Sequence, residues 1–406
     1  MKIAVLHNFM DNIGGAEIVS LTLARELDAD LYTTNFDAEK IESVGFIDVL
    51  PRIHSIGRVP IRAPFRHQLA FWRFRRLNLG CQYDFYVISG DWAMSAAVNN
   101  KPNFWYVHGP LNELWAFKDF VGKKMVSAWK HPIFELWVRF NRMLTLRYAR
   151  HVSTWTCNSE NSKKRILRYY GTSAAVIHPP VDTKKYSCEK DGRYWLSVNR
   201  LLDHKRIDIQ AKAFSMMPDA RLVIVGSYEK GAGQFESYKR YIESVKPANV
   251  ELRHWVSQEE LRELYANCTG FITTSYDEDF GMTAVEAMAS GKPVIAPNEG
   301  GYRETVVNDK MGVLIDDIDE VKLAVTVKKL AAELKNTERR RFYKENCQKQ
   351  AKGFDVFVFT KKIQAIIKGN INFEQFASAP HRIMGADEDM EHEVVESDKH
   401  QATLSL

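Results

Sequence analysis

This sequence predicts two parallel-sheet α/β domains facing each other across a cleft, on three observations. The chain has 406 residues, more than one ordinary core absorbs, so two domains are the default. Short β-branched or aromatic runs alternate with segments of helical apolar spacing along most of its length, which is the pattern of βαβ units. The stretch Thr273 to Pro297, TTSYDEDFGMTAVEAMASGKPVIAP, reads continuously as strand, loop, helix, turn, strand.

That stretch organises the rest. Phe271-Ile272-Thr273 closes a buried strand, and Glu278-Asp279-Phe280-Gly281 breaks the pattern. Thr283 to Ser290 is made of good helix formers. Gly291 stands where a helix end wants positive φ, Pro293 bars continuation, and Val294-Ile295-Ala296 is the next buried strand. The helix N-terminus therefore lies at the carboxyl end of a parallel strand, where open α/β sheets bind ligands. Free N–H groups and the helix dipole there suit a phosphate, and Gly281 lets the backbone come close. Glu278 in the loop and Glu286 in the helix cannot serve that phosphate, since like charges repel. They suit neutral hydroxyls on either side of it, a sugar and a ribose.

Composition narrows the class. Apolar residues make up 45% and charged residues 26%, as in soluble globular proteins. There is no apolar run of about 18 residues, so no transmembrane helix is predicted. Met1 to Leu6 reads as a first strand rather than a signal peptide. Cys81, Cys157, Cys188, Cys268 and Cys347 are scattered and form no CxxC, which predicts reduced structural thiols in a cytoplasmic protein. The net charge of +5 is mild, and its distribution matters more.

In chain order, Lys2 to Leu6 is a strand, Asp11 to Glu17 a turn holding Gly14 and Gly15, and Ile18 to Leu27 a helix. Strands follow at Ala29–Thr34, Gly45–Leu50, Asp84–Ser89 and Phe104–Val107, with His108-Gly109-Pro110 at the carboxyl end of the last. His151 to Thr156 ends the first array, and the polar stretch Lys184 to Gly192 reads as a linker. The second array opens with Tyr194–Val198. Arg200 and Lys205 follow, two cations at a strand end, where a diphosphate leaving group needs them if no metal is present. Ala220–Gly226 and Val250–Val256 are strands, and Ser257–Ala266 is a capped helix with Glu259 and Glu260 in its first turn. Met311–Ile315 is the last strand, before helices at Asp319–Leu334, Glu338–Ala351 and Phe354–Lys368. Asp387 to Asp398 is acidic without aromatics and reads as disordered.

Two segments of the first array mix bases with aromatics. Arg58 to Leu79 holds Arg58, Arg62, Arg66, Arg73, Arg75 and Arg76 among Phe65, Phe71, Trp72 and Phe74. Trp115 to Arg150 holds Lys118, Lys123, Lys124, Lys130, Arg139, Arg142, Arg147 and Arg150 among Trp129, Phe134, Trp137 and Phe140. Solvated helix faces over a core explain such a pattern, and so does an interfacial surface on an anionic membrane. No nucleic-acid motif accompanies them, so the membrane is favoured over nucleic acid.

Several of these residues carry a resemblance. Glu278 and Glu286, within EDFGMTAVEAMASGKPVIA, resemble the E-x7-E signature of family 4 retaining glycosyltransferases. Phe280-Gly281, Ala287-Met288-Ala289 and Gly291-Lys292-Pro293 are in register with it. Asn199 to Lys205 resembles the family's G-R-L-x-x-x-K, with Asn199 in place of glycine. Gly14 and Gly15 match its first glycine loop, with Glu17 as the usual polar neighbour. CNSENSKKRI resembles its strand–Ser–helix element, and Val176 to Asp182 its connector.

The resemblance implies the GT-B fold. Residues 1–188 would form a Rossmann-like acceptor domain and 189–353 a Rossmann-like sugar-nucleotide domain. Residues 354–370 would be a helix crossing back to the first domain, and 371–406 a disordered acidic tail. It also implies front-face transfer of a hexose from a nucleoside-diphosphate sugar to an acceptor hydroxyl with retention. Catalytic roles would fall to His108, Arg200, Lys205 and Glu278, and substrate binding to Gly14, Gly15, Val256, Phe280, Gly281, Met282, Thr283 and Glu286. No cofactor or metal is expected. Asp277-Glu278-Asp279 spells the DxD metal motif of another glycosyltransferase fold, but Asp28-Ala29-Asp30 and Asp387-Glu388-Asp389 spell it too. The Y-x-H-x-P feature at Tyr106 to Pro110 and the PPVD connector resemble mannosyltransferases that use GDP-mannose. The expected partners are a sugar nucleotide, a glycan or lipid-linked acceptor and an anionic membrane, at the cytoplasmic face. The competing readings are a sugar-nucleotide epimerase of the same fold and a non-catalytic protein that binds sugar nucleotides or nucleic acid.

Overall fold

The computed structural model describes residues 1–369 apart from 62–64, 112–113, 190–191, 228–232 and 255. Two parallel sheets organise them. The first holds β1 (Ile3–Leu6), β2 (Asp30–Thr33), β3 (Ile53–Ser55), β4 (Phe85–Ile88), β5 (Asn103–Val107), β6 (Thr154–Cys157) and β7 (Ala175–Val176). Their order across the sheet is β3-β2-β1-β4-β5-β6-β7. The second holds β8 (Trp195–Arg200), β9 (Leu222–Ser227), β10 (Val250–Arg253), β11 (Gly270–Ile272), β12 (Val294–Pro297) and β13 (Gly312–Ile315). Its order is β10-β9-β8-β11-β12-β13. The order reverses between β1 and β4 in one sheet and between β8 and β11 in the other. Each reversal opens a crevice at the carboxyl ends of the strands.

The strands read as unbroken apolar runs because both faces are covered. Every residue of β1, β5 and β12 is buried. Alternate side chains serve opposite cores, as a pleated strand dictates. Ile3 and Val5 pack with the helix Gly15–Glu26, while Ala4 and Leu6 pack against Phe74 and Trp105 on the other face. In the second sheet Leu196 and Val223 face one layer, and Trp195 and Leu222 the other.

The terminal helix Val356–Ile367 returns to the first sheet, as expected. Asp355 caps it by accepting from Phe357 N at 2.9 Å and also accepts from the Thr183 hydroxyl at 2.5 Å. Phe359, Ile363 and Ile366 then enter the first domain's core, Phe359 standing edge-on to Tyr106.

Some expectations shift. Gly45–Leu50 is not a strand. Ile47–Arg52 forms a 3-10 helix, and β3 begins at Ile53. Phe46 and Val49 are buried while Ile47 is exposed, which is helical rather than alternating spacing. The first helix starts at Gly15, three residues early, because Gly14 serves as its cap. β8 runs on through Asn199 and Arg200, which had been placed in the following loop. At the start of the expected linker, Thr183–Lys185 makes a short 3-10 turn. Arg62, Trp255 and the acidic stretch Asp387–Asp398 lie outside the described residues.

Ile363 is fully buried and Phe357, on the same helix, is largely exposed. Ile363→Ala should therefore destabilise the first domain by about 2–5 kcal/mol in urea unfolding, and Phe357→Ala by no more than roughly 0.5 kcal/mol. Equal effects would mean that the helix is not seated on the first sheet.

Candidate functional site

The second domain's crevice gathers the predicted cations and the first predicted carboxylate. Arg200 is the last residue of β8, and Lys205 ends the short turn Asp203–Lys205. Glu278 follows β11. Lys205 Nζ donates to Glu278 Oε2 at 2.5 Å, and the Ser275 hydroxyl donates to the same oxygen at 2.5 Å. Burial opposes ionisation of Glu278, but Lys205, Ser275 and the nearby His204 outweigh it and hold its pKa at about 2. His204 is pushed down to about 4 by burial and the charge of Lys205. Asn199, where the family pattern has glycine, fits the strand and donates to the Ser197 hydroxyl at 2.7 Å.

Arg200 reaches across to the first domain. A Cβ on Gly14 would overlap its guanidinium, so a larger residue there would displace the cation from the first glycine loop. Glu17 accepts from Gly14 N at 2.9 Å and faces the same guanidinium. A Cβ on Gly15 would lie 3.3 Å from Met282 Sδ, so both predicted glycines border the other domain.

The helix Met282–Ala289 starts after Gly281, whose φ is 86°. The close approach that Gly281 permits is to the ring of Tyr302, which fills the place of a side chain. The Tyr302 hydroxyl lies 2.8 Å from Thr273 Oγ1, tying the helix start to the end of β11. Met282 and Thr283 form the helix's first turn. Phe280 turns away and is buried against His178 and Phe354, at ring distances of 5.3 and 5.4 Å. Only its backbone is near the loop. Glu286 accepts from the Tyr265 hydroxyl at 2.8 Å. Burial raises its pKa to about 7, against hydrogen bonds from Tyr265 and Tyr186. Val256 packs on the second domain's core.

His108 stands at the end of β5, with Nε2 2.8 Å from the Ser89 hydroxyl. Burial pushes its pKa down to about 3, so the ring is neutral. Its carbonyl accepts from Asn158 Nδ2. Next to it, a Cβ on Gly109 would run into the carboxylate of Asp279. His108 therefore borders the same interdomain cleft.

Sequence reasoning missed the residues that hold the cleft together. Asp277 and Asp279 turn to Arg165, on the first domain's helix Glu160–Tyr170, each at 2.5 Å. Arg165 also donates to Asp277 O at 3.1 Å. Asn161 Nδ2 donates to Asp277 Oδ1 at 3.0 Å. Glu304 accepts from Glu160 N at 2.9 Å and Asn161 N at 3.2 Å, at the N-terminus of that helix, and lies 3.2 Å from His178 Nε2. The DxD pattern is thus an interdomain clasp. Asn161 and Arg165 were on the page inside CNSENSKKRI, but nothing local marks a side chain whose partner lies more than 100 residues away.

Comparison with known proteins places these features. A family model described as "Glycosyltransferase Family 4" matches residues 13–185, and one described as "Glycosyl transferases group 1" matches residues 180–350. The alpha-1,3/1,6-mannosyltransferase ALG2 of Dictyostelium discoideum is 26% identical over 371 residues, covering 77% of this chain and 86% of that protein. The O-antigen chain mannosyltransferase RfbU of Salmonella typhimurium is 24% identical over 242 residues, 53% of this chain and 68% of that protein. The crystal structure of Anabaena Alr3699/HepE with UDP and glucose superposes with a TM-score of 0.70 at 19% identity, covering 91% of this chain and 99% of that one. Sucrose-phosphate synthase from Thermosynechococcus elongatus superposes with a TM-score of 0.67 at 15% identity, over 91% and 98%.

The Lys205–Glu278 pair is largely out of water, with side-chain exposures of 16% and 22%. Removing one partner strands the other. Lys205→Met should therefore destabilise the second domain, by less than the roughly 3–5 kcal/mol of a fully buried pair. The double variant Lys205→Met/Glu278→Gln should recover part of that loss. Additive losses in the unfolding cycle would show that the pair is not coupled.

Proposed function

Because the chain belongs to glycosyltransferase family 4, we propose that it transfers a hexose, with mannose the first candidate, to a hydroxyl of a lipid-linked or surface-glycan acceptor at a membrane face. Family membership carries with it a nucleotide-sugar donor, retention of configuration and independence from metal. The observation that carries the proposal is the meeting of Arg200 and Met282 with the Gly14–Gly15 loop across the cleft, with Lys205 paired to Glu278 in the second domain's crevice. Mannose is favoured by the mannosyltransferases among the relatives, and GDP-mannose is the donor to try first.

In this reading Arg200, Lys205 and the N–H groups of Met282 and Thr283 hold the diphosphate. Glu278 takes sugar hydroxyls and Glu286 those of the ribose. The bond from the anomeric carbon to the diphosphate breaks while the acceptor oxygen bonds the same face. The acceptor's proton passes to the departing phosphate oxygen. The protein's work is to orient the sugar and to stabilise charge that grows on the leaving group. His108 borders the sugar or the acceptor. An epimerase would share the donor site but would have no use for the surface described next.

Two helices of the first domain present apolar stripes to solvent. On His131–Ala149, Ile133, Leu136, Phe140 and Met143 are between 46 and 70% exposed, and Trp129 just before the helix is more so. On Phe65–Arg76 the stripe is Phe65, Leu69 and Trp72. The helices touch through Gln68 and Asn141, and through the rings of Phe71 and Tyr148. Exposed large apolar residues at helical spacing, rimmed by bases, suit an anionic bilayer surface. No helix among the described residues is long and apolar enough to cross a membrane.

The structure also sorts the bases. Arg66 pairs with Asp11, Arg73 donates to the carbonyls of Ile56 and Arg58, Arg75 lies over Tyr148, and Arg142 lies over Trp115. These brace the domain. Arg76, Arg147 and Arg150 are exposed and belong to the surface.

Two tests follow. Glu286→Ala should chiefly weaken binding of the nucleotide sugar, while Glu278→Ala should chiefly lower turnover, since ribose contacts are alike in ground and transition states. Steady-state kinetics and calorimetric binding with GDP-mannose and UDP-glucose read both. Unchanged kinetics in both variants would sink the site. For the surface, the protein should sediment with anionic liposomes at low salt, each basic side chain contributing about 1 kcal/mol. Leu136→Ser/Phe140→Ser should reduce the salt-resistant part, and Arg76→Glu/Arg147→Glu the salt-sensitive part. If wild type stays in the supernatant, the acceptor is a soluble molecule.

A further inference from the structure

A buried polar chain lies beneath the cleft, and none of its inner members touches a substrate in the reading above. His7 follows β1, Ser89 follows β4 and His108 follows β5, so three neighbouring strands end in three polar side chains around the first sheet's switch point. Ser20 and Glu17 come from the helix Gly15–Glu26. His7, Ser20 and Ser89 are buried. The contacts run in series. Glu17 Oε1 lies 3.3 Å from His7 Nε2, and Ser20 Oγ lies 2.9 Å from His7 Nδ1. Ser20 Oγ lies 2.7 Å from Ser89 Oγ, and Ser89 Oγ lies 2.8 Å from His108 Nε2.

The direction of the protons follows from one end. Glu17 is ionised: burial opposes this, but the His7 hydrogen bond and the charge of Arg200 hold its pKa at about 2. A carboxylate only accepts, so a His7 ring carrying one proton offers it from Nε2. Its Nδ1 is then a lone pair and accepts the Ser20 hydroxyl proton. Ser20 has one proton to give, so it accepts from Ser89. Ser89, having given its own, accepts from His108 Nε2–H. The competing acceptor is Ala16 O, 2.9 Å from Ser20 Oγ. It already receives the Ser20 N–H of the helix ladder and stays paired without the hydroxyl.

We propose that Glu17, His7, Ser20 and Ser89 form a positioning relay that places the proton of His108 on Nε2 and leaves Nδ1 as a hydrogen-bond acceptor in the cleft. Nε2 is turned inward to Ser89, so Nδ1 is the ring nitrogen left for a substrate. The consequence is a rule of specificity, which rests on the transfer reading given above. His108 takes a contact from a sugar or acceptor group that donates, a free hydroxyl, and has no proton to offer an ether, carboxylate or phosphate oxygen there. A site built to pair a hydroxyl discriminates against an analogue lacking it, because its own polar atom is left unpaired.

The tautomer can be read directly. Long-range ¹H–¹⁵N spectra of the full chain labelled at histidine, with His108 assigned by comparison with His108→Gln, distinguish Nε2–H from Nδ1–H. Wild type should show His108 as a single neutral tautomer protonated at Nε2. Ser20→Ala cuts the relay without touching His108. It should give mixed His108 tautomers and lower kcat about tenfold, the worth of one hydrogen bond. Affinity for the nucleoside diphosphate should stay within about twofold, since the diphosphate is held elsewhere. Ser89→Ala removes the acceptor itself and should give the same spectrum by an independent route. Thr22→Ala, a buried hydroxyl of the same helix that bonds only Ile18 O, should leave spectrum and rate unchanged. Nδ1–H in wild type, or one unaltered tautomer in both serine variants, overturns the relay. Absence of transferase activity in wild type would instead count against the transfer reading, and the spectra would still decide the relay.

Discussion

Three consecutive acids, Asp277, Glu278 and Asp279, stand at the mouth of the second domain's crevice, and the cleft depends on how their charges are met. Neighbouring carboxylates this close would repel and protonate if left alone. They are divided instead, although burial still lifts Asp279 to about 7 even against the charge of Arg165. Asp277 and Asp279 turn to Arg165 of the first domain, and Glu278 turns to Lys205 of its own domain. The Arg165 side chain is 8% exposed, so the clasp is made largely away from water, where an unpaired partner is costly. One ionic arrangement thereby does two things. It ties the Glu278 loop to the first domain, and it keeps Glu278 ionised and aimed at a cation rather than at its neighbours.

The rest of the cleft follows from that join. With the loop held, Gly14 comes against Arg200, Gly15 against Met282 and Gly109 against Asp279. At Gly14 and Gly109 the other domain's guanidinium or carboxylate occupies the space of a Cβ, so a larger residue would displace it, and at Gly15 the Met282 sulfur lies at close contact. Glu304 adds a second tie by accepting two N–H groups at the start of the helix Glu160–Tyr170, a favourable place for a carboxylate. The terminal helix makes a third, carrying Phe359 and Ile363 from the second domain's side into the first domain's core. The crevices of both sheets therefore face one another through contacts of different kinds: ionic, backbone-capping and apolar.

The first domain divides its arginines between two tasks. Those bonded to carbonyls, carboxylates or ring faces brace the helices, and those left outward rim the apolar stripes. Composition alone cannot separate the groups, because an arginine over a tyrosine and an arginine in solvent look alike in a sequence. The separation matters energetically: a base already engaged within the fold contributes nothing to a membrane without breaking that contact.

The alternation of strands and helices, β3 and β7 excepted, and the placing of Arg200 and Lys205 at the end of β8 and of Glu278 and Glu286 around the junction after β11 were legible from residues alone. They depend on local periodicity, on glycine and proline at turns, and on a spacing that a helix converts into geometry. Among the exceptions is Gly45–Leu50, a six-residue run too short for apolar spacing alone to separate strand from helix. What only the tertiary structure decided has a common cause. Arg165 and Asp279 are 114 residues apart, Ser20 and Ser89 are 69 apart, and Gly14 and Arg200 meet only across the cleft. Each residue looks ordinary in its own segment. Its role arises from a partner brought near by the packing of sheets and domains, and no local pattern encodes that meeting.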